Sequence, residues 1–208
     1  MCSSPTTVGS LEHNLVAVRH SVSTSERATR SGHVGGVIWL TGLSASGKST
    51  LAMGLERALF DRGWSAFVLD GDNLRHGLNA GLGFTPADRS ENVRRIGQVA
   101  ALFAQSGQIC ICACISPFQI DRTAARMAAQ PHPFIEVHVN ADLDTCETRD
   151  PKGLYRKARS GGLTGLTGID SPYEIPLQPD LVLDTQKNDI AACLQTLESL
   201  VVKVCLAD

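Results

Sequence analysis

The octapeptide Gly42-Leu-Ser-Ala-Ser-Gly-Lys-Ser49 matches the pattern G-x-x-x-x-G-K-[ST]. Glycines let the backbone N–H groups of such a loop converge on phosphate oxygens, and a helix that begins there adds a favourable dipole. In this pattern Lys48 reaches the β- and γ-phosphates of a nucleotide, and the hydroxyl of Ser49 is a ligand for Mg²⁺. The octapeptide therefore predicts a binding loop for a nucleoside triphosphate.

Two carboxylates, Asp70 and Asp72, come at the end of the apolar segment that follows this loop. Ligands of parallel sheets bind at the carboxyl ends of the strands, so we expect both carboxylates to face the phosphate loop. There they would hold Mg²⁺ or accept a proton from an attacking hydroxyl. The run Asp-Gly-Asp-Asn suits a turn capped by an aspartate equally well. Both interpretations stay open on this segment alone.

These residues need a framework, and the hydrophobic pattern predicts alternating strands and helices. Continuous apolar strands alternating with helices are typical of a parallel sheet covered on both faces. We predict an α/β, three-layer fold of the P-loop NTPase type over residues 36–205. Its strands are predicted at 37–41, 65–70, 109–115, 134–139 and 181–183, and its helices at 48–62, 88–106, 121–130, 142–149 and from about 190 onward.

Two segments depart from this alternation. Residues 1–35 are rich in Ser, Thr and Arg and have weak periodicity, so they are predicted to be a flexible N-terminal arm. Residues 150–179 are rich in Gly and Pro without a clear period. An irregular segment of that length inside a compact domain is often functional, and we predict a lid.

The composition excludes several classes of protein. With 19 Lys and Arg against 21 Asp and Glu, the net charge is −2, whereas nucleic-acid-binding proteins normally carry a basic excess. No apolar stretch has the roughly 20 residues that a membrane span requires. We therefore expect neither a nucleic acid nor a membrane as a partner.

The cysteines indicate a reducing compartment. The chain has seven, an odd number, and its N-terminus lacks an apolar signal segment, which argues against a secreted disulfide framework. The cytoplasm is the expected location. Cys110, Cys112 and Cys114 alternate along one predicted strand and so share one face, where cysteine usually packs as a small apolar residue. A metal or redox site is the alternative, although the cysteine pairs typical of zinc sites are missing.

Further motifs resemble those of the adenylylsulfate kinases. They are Asp70–Asn79, Gly83-Phe84, Asp88–Arg95, Ile115–Phe118, Asp150–Tyr155 and Leu166–Glu174. The resemblance runs in order from about Ser31 to Asp184. It implies transfer of the γ-phosphoryl group of MgATP to the 3′-hydroxyl of adenosine 5′-phosphosulfate (APS), which gives ADP and 3′-phosphoadenosine 5′-phosphosulfate.

The resemblance and the phosphate-loop motif also assign residues to roles. Lys48, Asp72 and Ser116 are the predicted catalytic residues. Ser116 matches a family serine that is sometimes assigned as a phosphorylated intermediate, and direct in-line transfer, in which its hydroxyl only binds substrate, is the alternative. Ser49 and Asp70 are the predicted Mg²⁺ ligands. The predicted ATP-binding residues are Gly42, Leu43, Ser44, Ala45, Ser46, Gly47, Lys48, Ser49, Thr50 and Arg149, the last expected to pack on the adenine. The predicted APS-binding residues are Asp72, Asn73, Arg75, Phe84, Arg89, Asn92, Ile115, Ser116, Lys152, Gly165 and Leu166.

The chain departs from the family pattern at three positions. Leu166 replaces a phenylalanine that would stack on the adenine of APS, and Phe118 and Gln119 replace Tyr and Arg. One aromatic stack is worth about 1–3 kcal/mol, so we expect weaker binding of APS. These changes bear on the efficiency of the enzyme more than on its reaction.

Two other functions are compatible with a phosphate loop on this fold. One is a nucleotide-binding regulatory domain without catalysis, and the other is a P-loop kinase for a different small molecule. The intact Lys48, Ser49, Asp70, Asp72, Arg75 and Arg89 argue against the first, and the Asp-Gly-Asp-Asn and Lys-Gly-Leu-Tyr blocks against the second. The resemblance further implies a homodimer and a functional coupling to ATP sulfurylase.

Overall fold

The computed structural model describes residue 18 and residues 20–207. Five parallel strands form one sheet in the order β2-β3-β1-β4-β5. Their bounds are β1 Gly36–Thr41, β2 Ala66–Asp70, β3 Ile109–Ala113, β4 Phe134–Asn140 and β5 Leu181–Asp184. The predicted α/β fold is confirmed.

The helices occupy both faces of this sheet. Their bounds are α1 Thr24–Ser31, α2 Lys48–Asp61, α3 Gly71–Leu74, α4 Pro86–Gln105, α5 Gln119–Ala128, α6 Leu143–Arg149, α7 Leu154–Arg159 and α8 Ile190–Cys205. On one face Ile38 and Leu40 pack against α2 and α8, and on the other Val37 and Trp39 pack against α4 and α5. Alternate residues of β1 thus contribute to two separate cores, because successive side chains of a strand point to opposite faces.

Helix α4 begins two residues earlier than the hydrophobic pattern predicts. The Thr85 hydroxyl accepts a hydrogen bond from the Asp88 amide, and Pro86 occupies the first turn, where its missing N–H costs nothing. These capping residues lie outside the periodic apolar positions from which the helix was predicted. Arg89 and Asn92 are consequently fixed on successive turns at the start of a well-capped helix.

Short helices interrupt both segments that were predicted to be irregular. Within the predicted arm, α1 has a capping box in which the Ser23 and Glu26 side chains each bind the other's backbone amide. Residues 1–17 and 19 lie outside the described residues, and the flexibility predicted for the arm remains a prediction. Within the predicted lid, α7 packs through Tyr155, which is buried. Neither helix spans enough turns to show a clear period in the sequence.

The two cysteines of β3 and Cys114, which directly follows this strand, lie in the same core, as predicted. Cys110, Cys112 and Cys114 are buried beside α4 and α5. Burial raises the pKa of Cys112 well above its usual value, and it raises that of Cys114 to about 12. The Cys112 and Cys114 thiols therefore stay protonated at neutral pH. Among the described residues there is no cluster of His, Cys, Asp and Glu that would hold a metal ion by itself.

None of the helices in the described part of the chain is both long and apolar enough to cross a membrane.

Candidate active site

A cavity of about 300 Å³ opens at the carboxyl ends of β2 and β3. The phosphate loop forms one wall, α4 forms another, and the segment 152–166 covers it. The cavity brings together residues that are far apart in the sequence. Those predicted from the sequence are Ser44, Ala45, Lys48, Asp70, Asp72, Arg75, Phe84, Arg89, Asn92, Ile115, Ser116, Lys152, Gly165 and Leu166.

The phosphate loop turns sharply between β1 and α2. Gly42 and Gly47 have φ of 151° and 106°, in the region that favours glycine. A Cβ at Gly42 would lie 2.4 Å from the Val139 carbonyl oxygen, so only glycine fits there. The backbone is thereby held in a tight loop whose amides precede the first turn of α2, which is an anion-binding arrangement.

Lys48 is buried at the base of this loop. Its Nζ donates to the carbonyl oxygens of Gly42 at 2.9 Å and Leu43 at 2.6 Å. Burial lowers the pKa of Lys48 to about 8, and the nearby Lys152 ammonium acts in the same direction. The ammonium is thus held among neutral carbonyl groups, from which an anionic phosphate would draw it.

Ser49 and Asp70 meet beside the loop, as the sequence predicts. The Ser49 hydroxyl donates to Asp70 Oδ2 at 2.7 Å, and Asp70 Oδ1 accepts from the Asp72 amide at 3.0 Å. The sequence leaves open whether Asp70 faces the phosphate loop or caps a turn. In the structure its carboxylate does both. A hydroxyl and a carboxylate are hard oxygen ligands, so this pair fits Mg²⁺.

Arg149 lies behind the phosphate loop rather than in the cavity. Its guanidinium donates to the Thr185 hydroxyl at 3.0 Å and to the Thr185 carbonyl at 2.6 Å. The Thr185 hydroxyl in turn donates to the carbonyl of Ser46, at 2.9 Å. Arg149 is thus tied through Thr185 to the phosphate loop, and its packing on the adenine of ATP stays a prediction. Thr185, which makes this connection, was not predicted.

Two arginines flank the aromatic ring of Phe84. The guanidinium carbon of Arg75 lies 4.2 Å from the ring centroid and that of Arg89 lies 5.7 Å away. Phe84 is 59% exposed and lines the cavity, so it is not a core residue. An exposed aromatic face between two cations suits a ligand that combines a planar base with negative charge.

Arg89 also joins α4 to the lid. It donates to the Thr167 hydroxyl at 2.8 Å and to the Gly165 carbonyl. Burial lowers the pKa of Arg89, which nevertheless stays charged at neutral pH. On the next turn Asn92 accepts from the Asn79 amide at 3.0 Å, which leaves the Asn92 amide group as a donor. Thr167 and Asn79 are supporting residues that the sequence did not single out.

Lys152 and Asp72 form an ion pair across the mouth of the cavity. Both side chains are more than half exposed, so the pair is accessible to solvent and contributes little to stability. The pair matters because of its position: it holds Lys152, from the segment predicted to be a lid, next to Asp72, which is predicted to be catalytic.

Ser116 lies at the back of the cavity in a buried position. The Trp39 indole N–H donates to its hydroxyl oxygen at 3.0 Å. Because the Ser116 oxygen already accepts this bond, the Ser116 hydroxyl proton is available to a second group. The Cys114 carbonyl oxygen is 3.4 Å from the Ser116 oxygen, which is a long hydrogen bond. The hydroxyl is therefore oriented as a donor.

Leu166 has a structural role besides lining the cavity. It is 7% exposed and packs in a small apolar cluster with Ala141, Cys146 and Tyr155. Gln119 is another of the three departures from the family pattern. Its side-chain oxygen accepts a hydrogen bond from the buried Arg122 guanidinium at 2.7 Å. The glutamine thus belongs to an internal network.

Some predicted residues lie outside the cavity lining. Asn73 is exposed on α3, and the remaining loop residues support the backbone of the phosphate loop: Gly42, Leu43, Ser46, Gly47, Ser49 and Thr50. Conversely, the cavity includes several residues that were not predicted, most of them apolar: Gly71, Val93, Ala113, Cys114, Pro117, Leu154, Leu163 and Thr164.

Comparison with known proteins decides between the kinds of P-loop protein. The family model described as adenylylsulphate kinase matches residues 34–184. This chain belongs to the adenylylsulphate kinase family. It is 56% identical over 172 residues to the adenylyl-sulfate kinase of Geotalea uraniireducens, covering 83% of both chains. It is 54% identical to the probable adenylyl-sulfate kinase of Bacillus subtilis, covering 83% of this chain and 88% of the other.

A solved structure of the family agrees with the fold. The Mycobacterium tuberculosis APS kinase CysC, in complex with AMPPNP and APS, superposes with a TM-score of 0.77 at 49% identity, covering 80% of this chain and 98% of the other. The resemblance stated from the sequence is therefore confirmed. An adenylyl-sulfate kinase is an ATP-dependent phosphotransferase, and this chain is such an enzyme.

Proposed function

We propose that the cavity binds MgATP against the phosphate loop and APS against α4 and the lid, and transfers the γ-phosphoryl group to the 3′-hydroxyl of APS. One observation carries this assignment. The phosphate loop, Asp70 with its bond from Ser49, and the cations Arg75, Arg89 and Lys152 meet at a single cavity, which all of them line in part except Ser49. That arrangement suits two polyanionic ligands placed end to end.

On the donor side, Lys48 leaves the loop carbonyls and bonds to the β- and γ-phosphates of ATP. The backbone amides of the loop hold the same phosphates, and Arg149 supports the adenine end. The new bonds are charge-assisted and hence stronger than those to neutral carbonyls. Lys48 thereby stabilises the charge that spreads over the transferred group in the transition state.

Ser49 and Asp70 would hold Mg²⁺ in this scheme. The ion would neutralise phosphate charge when bound. Without it, the Ser49 hydroxyl donates to Asp70. We propose that the carboxylate keeps the hydroxyl oriented.

On the acceptor side, Arg75, Arg89 and Lys152 receive the phosphosulfate group, and the Asn92 amide adds a donor. The purine stacks on Phe84, with Leu166 on its other face. Once APS recruits Lys152, Asp72 is released to accept a hydrogen bond from the 3′-hydroxyl. Phosphoryl transfer depends mainly on positioning and charge stabilisation, so a strong base is not required.

We assign Ser116 as a hydrogen-bond donor to the acceptor and propose direct transfer. Its hydroxyl oxygen already accepts from Trp39, and no carboxylate or histidine among the described residues is bonded to it to remove its proton. Incubation with MgATP alone is expected to leave Ser116 unmodified by mass spectrometry, and Ser116→Ala should keep turnover within about tenfold of wild type, the loss of one hydrogen bond. A stoichiometric phosphoserine that APS discharges would contradict direct transfer.

A coupled assay of ADP release tests the whole proposal. We expect turnover that depends on Mg²⁺ and on APS, with a 3′-phosphorylated product by mass spectrometry. Nucleosides, gluconate and a reaction without an acceptor are the controls. Turnover with gluconate or a nucleoside but not APS would indicate a different small-molecule kinase. ATP binding with no acceptor-dependent turnover would indicate a regulatory domain.

We also propose that the enzyme is a cytoplasmic homodimer whose activity is coupled to ATP sulfurylase, which produces APS. These expectations follow from the family resemblance and the cysteine content. Sedimentation analysis of the full chain would test the dimer, and a co-purification experiment with ATP sulfurylase would test the coupling.

A further inference from the structure

Arg122 is a buried cation outside the cavity, on the first turn of α5. Its guanidinium donates to Glu136 Oε1, to the Ser116 carbonyl and to Gln119 Oε1, each at 2.7 Å, and to the Glu174 carbonyl at 2.8 Å. These four acceptors come from β4, the loop after β3, α5 and the end of the lid. One side chain thus joins four parts of the fold.

The Ser116 backbone needs such support. Its φ is 40°, which is uncommon for a residue with a side chain and costs energy unless surrounding contacts impose it. The Arg122 bond fixes the Ser116 carbonyl, while the Trp39 indole fixes its hydroxyl. The direction in which this hydroxyl faces the cavity therefore depends on a residue that does not line the cavity.

The same guanidinium fixes the far end of the lid. Besides the bond from Arg122, the Glu174 amide donates to the Pro117 carbonyl at 2.8 Å, and Glu174 Oε2 accepts from the Gln119 amide at 2.6 Å. The lid end and the Ser116 loop are consequently one hydrogen-bonded unit around Arg122.

The Arg122–Glu136 pair is costly as a stability device. Both side chains are almost completely buried, and buried ion pairs are often replaceable by apolar side chains without loss of stability. An apolar side chain, however, cannot make the hydrogen bonds that Arg122 donates to the Ser116 and Glu174 carbonyls. This pattern points to positioning rather than to stability as the function of the pair.

We infer that Arg122 is a positioning residue for the acceptor substrate, acting through Ser116 and the lid end. The inference rests on the proposed function, in which Ser116 and the lid bind APS. The phosphate loop receives none of the four bonds, so Arg122 makes no direct hydrogen bond to the donor half of the site. A change at Arg122 is therefore expected to alter the kinetics of APS and not those of ATP.

Arg122→Lys is the first test, since lysine keeps the charge beside Glu136 but cannot make all four bonds. We expect KM for APS to rise about tenfold, the effect of losing one or two hydrogen bonds, while KM for ATP stays within twofold. Arg126→Lys is the matched control, because Arg126 lies one turn further along α5 and contacts Glu136 and Asp180 without touching Ser116. It should leave both constants near wild type.

The double variant Arg122→Met/Glu136→Met removes the ion pair without stranding a charge. We expect its melting temperature to be close to that of wild type and its KM for APS to be raised as in Arg122→Lys. An unchanged KM for APS in either folded variant, or an equal rise for APS and ATP, would overturn the inference. If wild type shows no APS-dependent turnover at all, it is the proposed function that fails.

Discussion

The donor and acceptor halves of the cavity are built in different ways. In the donor half, Lys48 bonds to carbonyls five and six residues away. In the acceptor half, Arg89 bonds to a carbonyl 76 residues away, and Asp72 pairs with a lysine 80 residues away. The bonds of Lys48 are thus local, although Thr185 joins the phosphate loop from 139 residues away, whereas the bonds described for the acceptor half join α4 and α3 to the segment predicted to be a lid. A substitution in one half should accordingly change the binding of one substrate and leave the binding of the other close to wild type.

The largest effect is expected at Lys48. Lys48→Met should lower kcat/KM by about 10³-fold, because a preorganised charge that stabilises the transferred group is lost. The fold should be retained, since removing a buried cation removes a desolvation cost. Steady-state kinetics measure the change in kcat/KM, and a thermal melt shows whether the fold is retained. A decrease of less than tenfold in a folded protein would show that the loop amides alone suffice.

Arg89→Ala should affect the other half. We expect KM for APS to rise about 100-fold, because a charge-assisted bond to the ligand and the bond to the lid are lost together. Arg94→Ala is the control on the same helix, since the exposed Arg94 guanidinium bonds, among the described side chains, to Glu91 alone. If Arg89→Ala raises the KM for ATP as much as the KM for APS, the two halves are not independent.

A smaller effect should follow from the pKa of Lys48, which burial lowers to about 8. The protonated form binds phosphate, so ATP affinity should be complete below pH 8 and decline above it as the proton is lost. Between pH 7 and pH 9 we expect the Kd for ATP to rise by up to about tenfold. Calorimetry at constant ionic strength measures this, with Lys48→Met as a variant whose Kd should not follow the same profile. A flat wild-type profile over that range would contradict the prediction.

Leu166→Phe should have the smallest effect. A phenylalanine adds a stacking face for the purine of APS, and a full stack would tighten binding by roughly 5- to 150-fold. We expect only about fivefold, because Leu166 already packs against Ala141, Cys146 and Tyr155 and a larger ring strains that cluster. A direct Kd for APS measures the change. An unchanged Kd would mean that this position does not contact the purine.

The donor half could be predicted almost completely from the sequence. Lys48 bonds to carbonyls of its own loop, and Asp70 could be placed beside Ser49 because parallel strands end at the same edge of the sheet. The order of strands in the sheet was not predicted, because apolar strands carry little information about which neighbour they choose.

The acceptor half was predicted by resemblance, and its supporting residues were missed. Arg122 occupies a helix position where a solvated arginine would be equally natural, and Thr167 is one of several polar residues in an irregular segment. Their roles depend on partners between 3 and 78 residues distant. Gln119 lies 3 residues from Arg122, and Arg89 lies 78 residues from Thr167. Such pairings are set by tertiary packing and leave no periodic pattern in the sequence.

Cys114 gives the cavity wall a chemical property that its neighbours do not have. A thiolate is a far stronger nucleophile than a ribose hydroxyl, and sulfur beside an activated phosphate would compete for the group being transferred. With a pKa raised to about 12, Cys114 keeps its proton and offers no such competition. Burial beside the end of β3 thus gives the site a wall whose thiol stays in its weakly nucleophilic form.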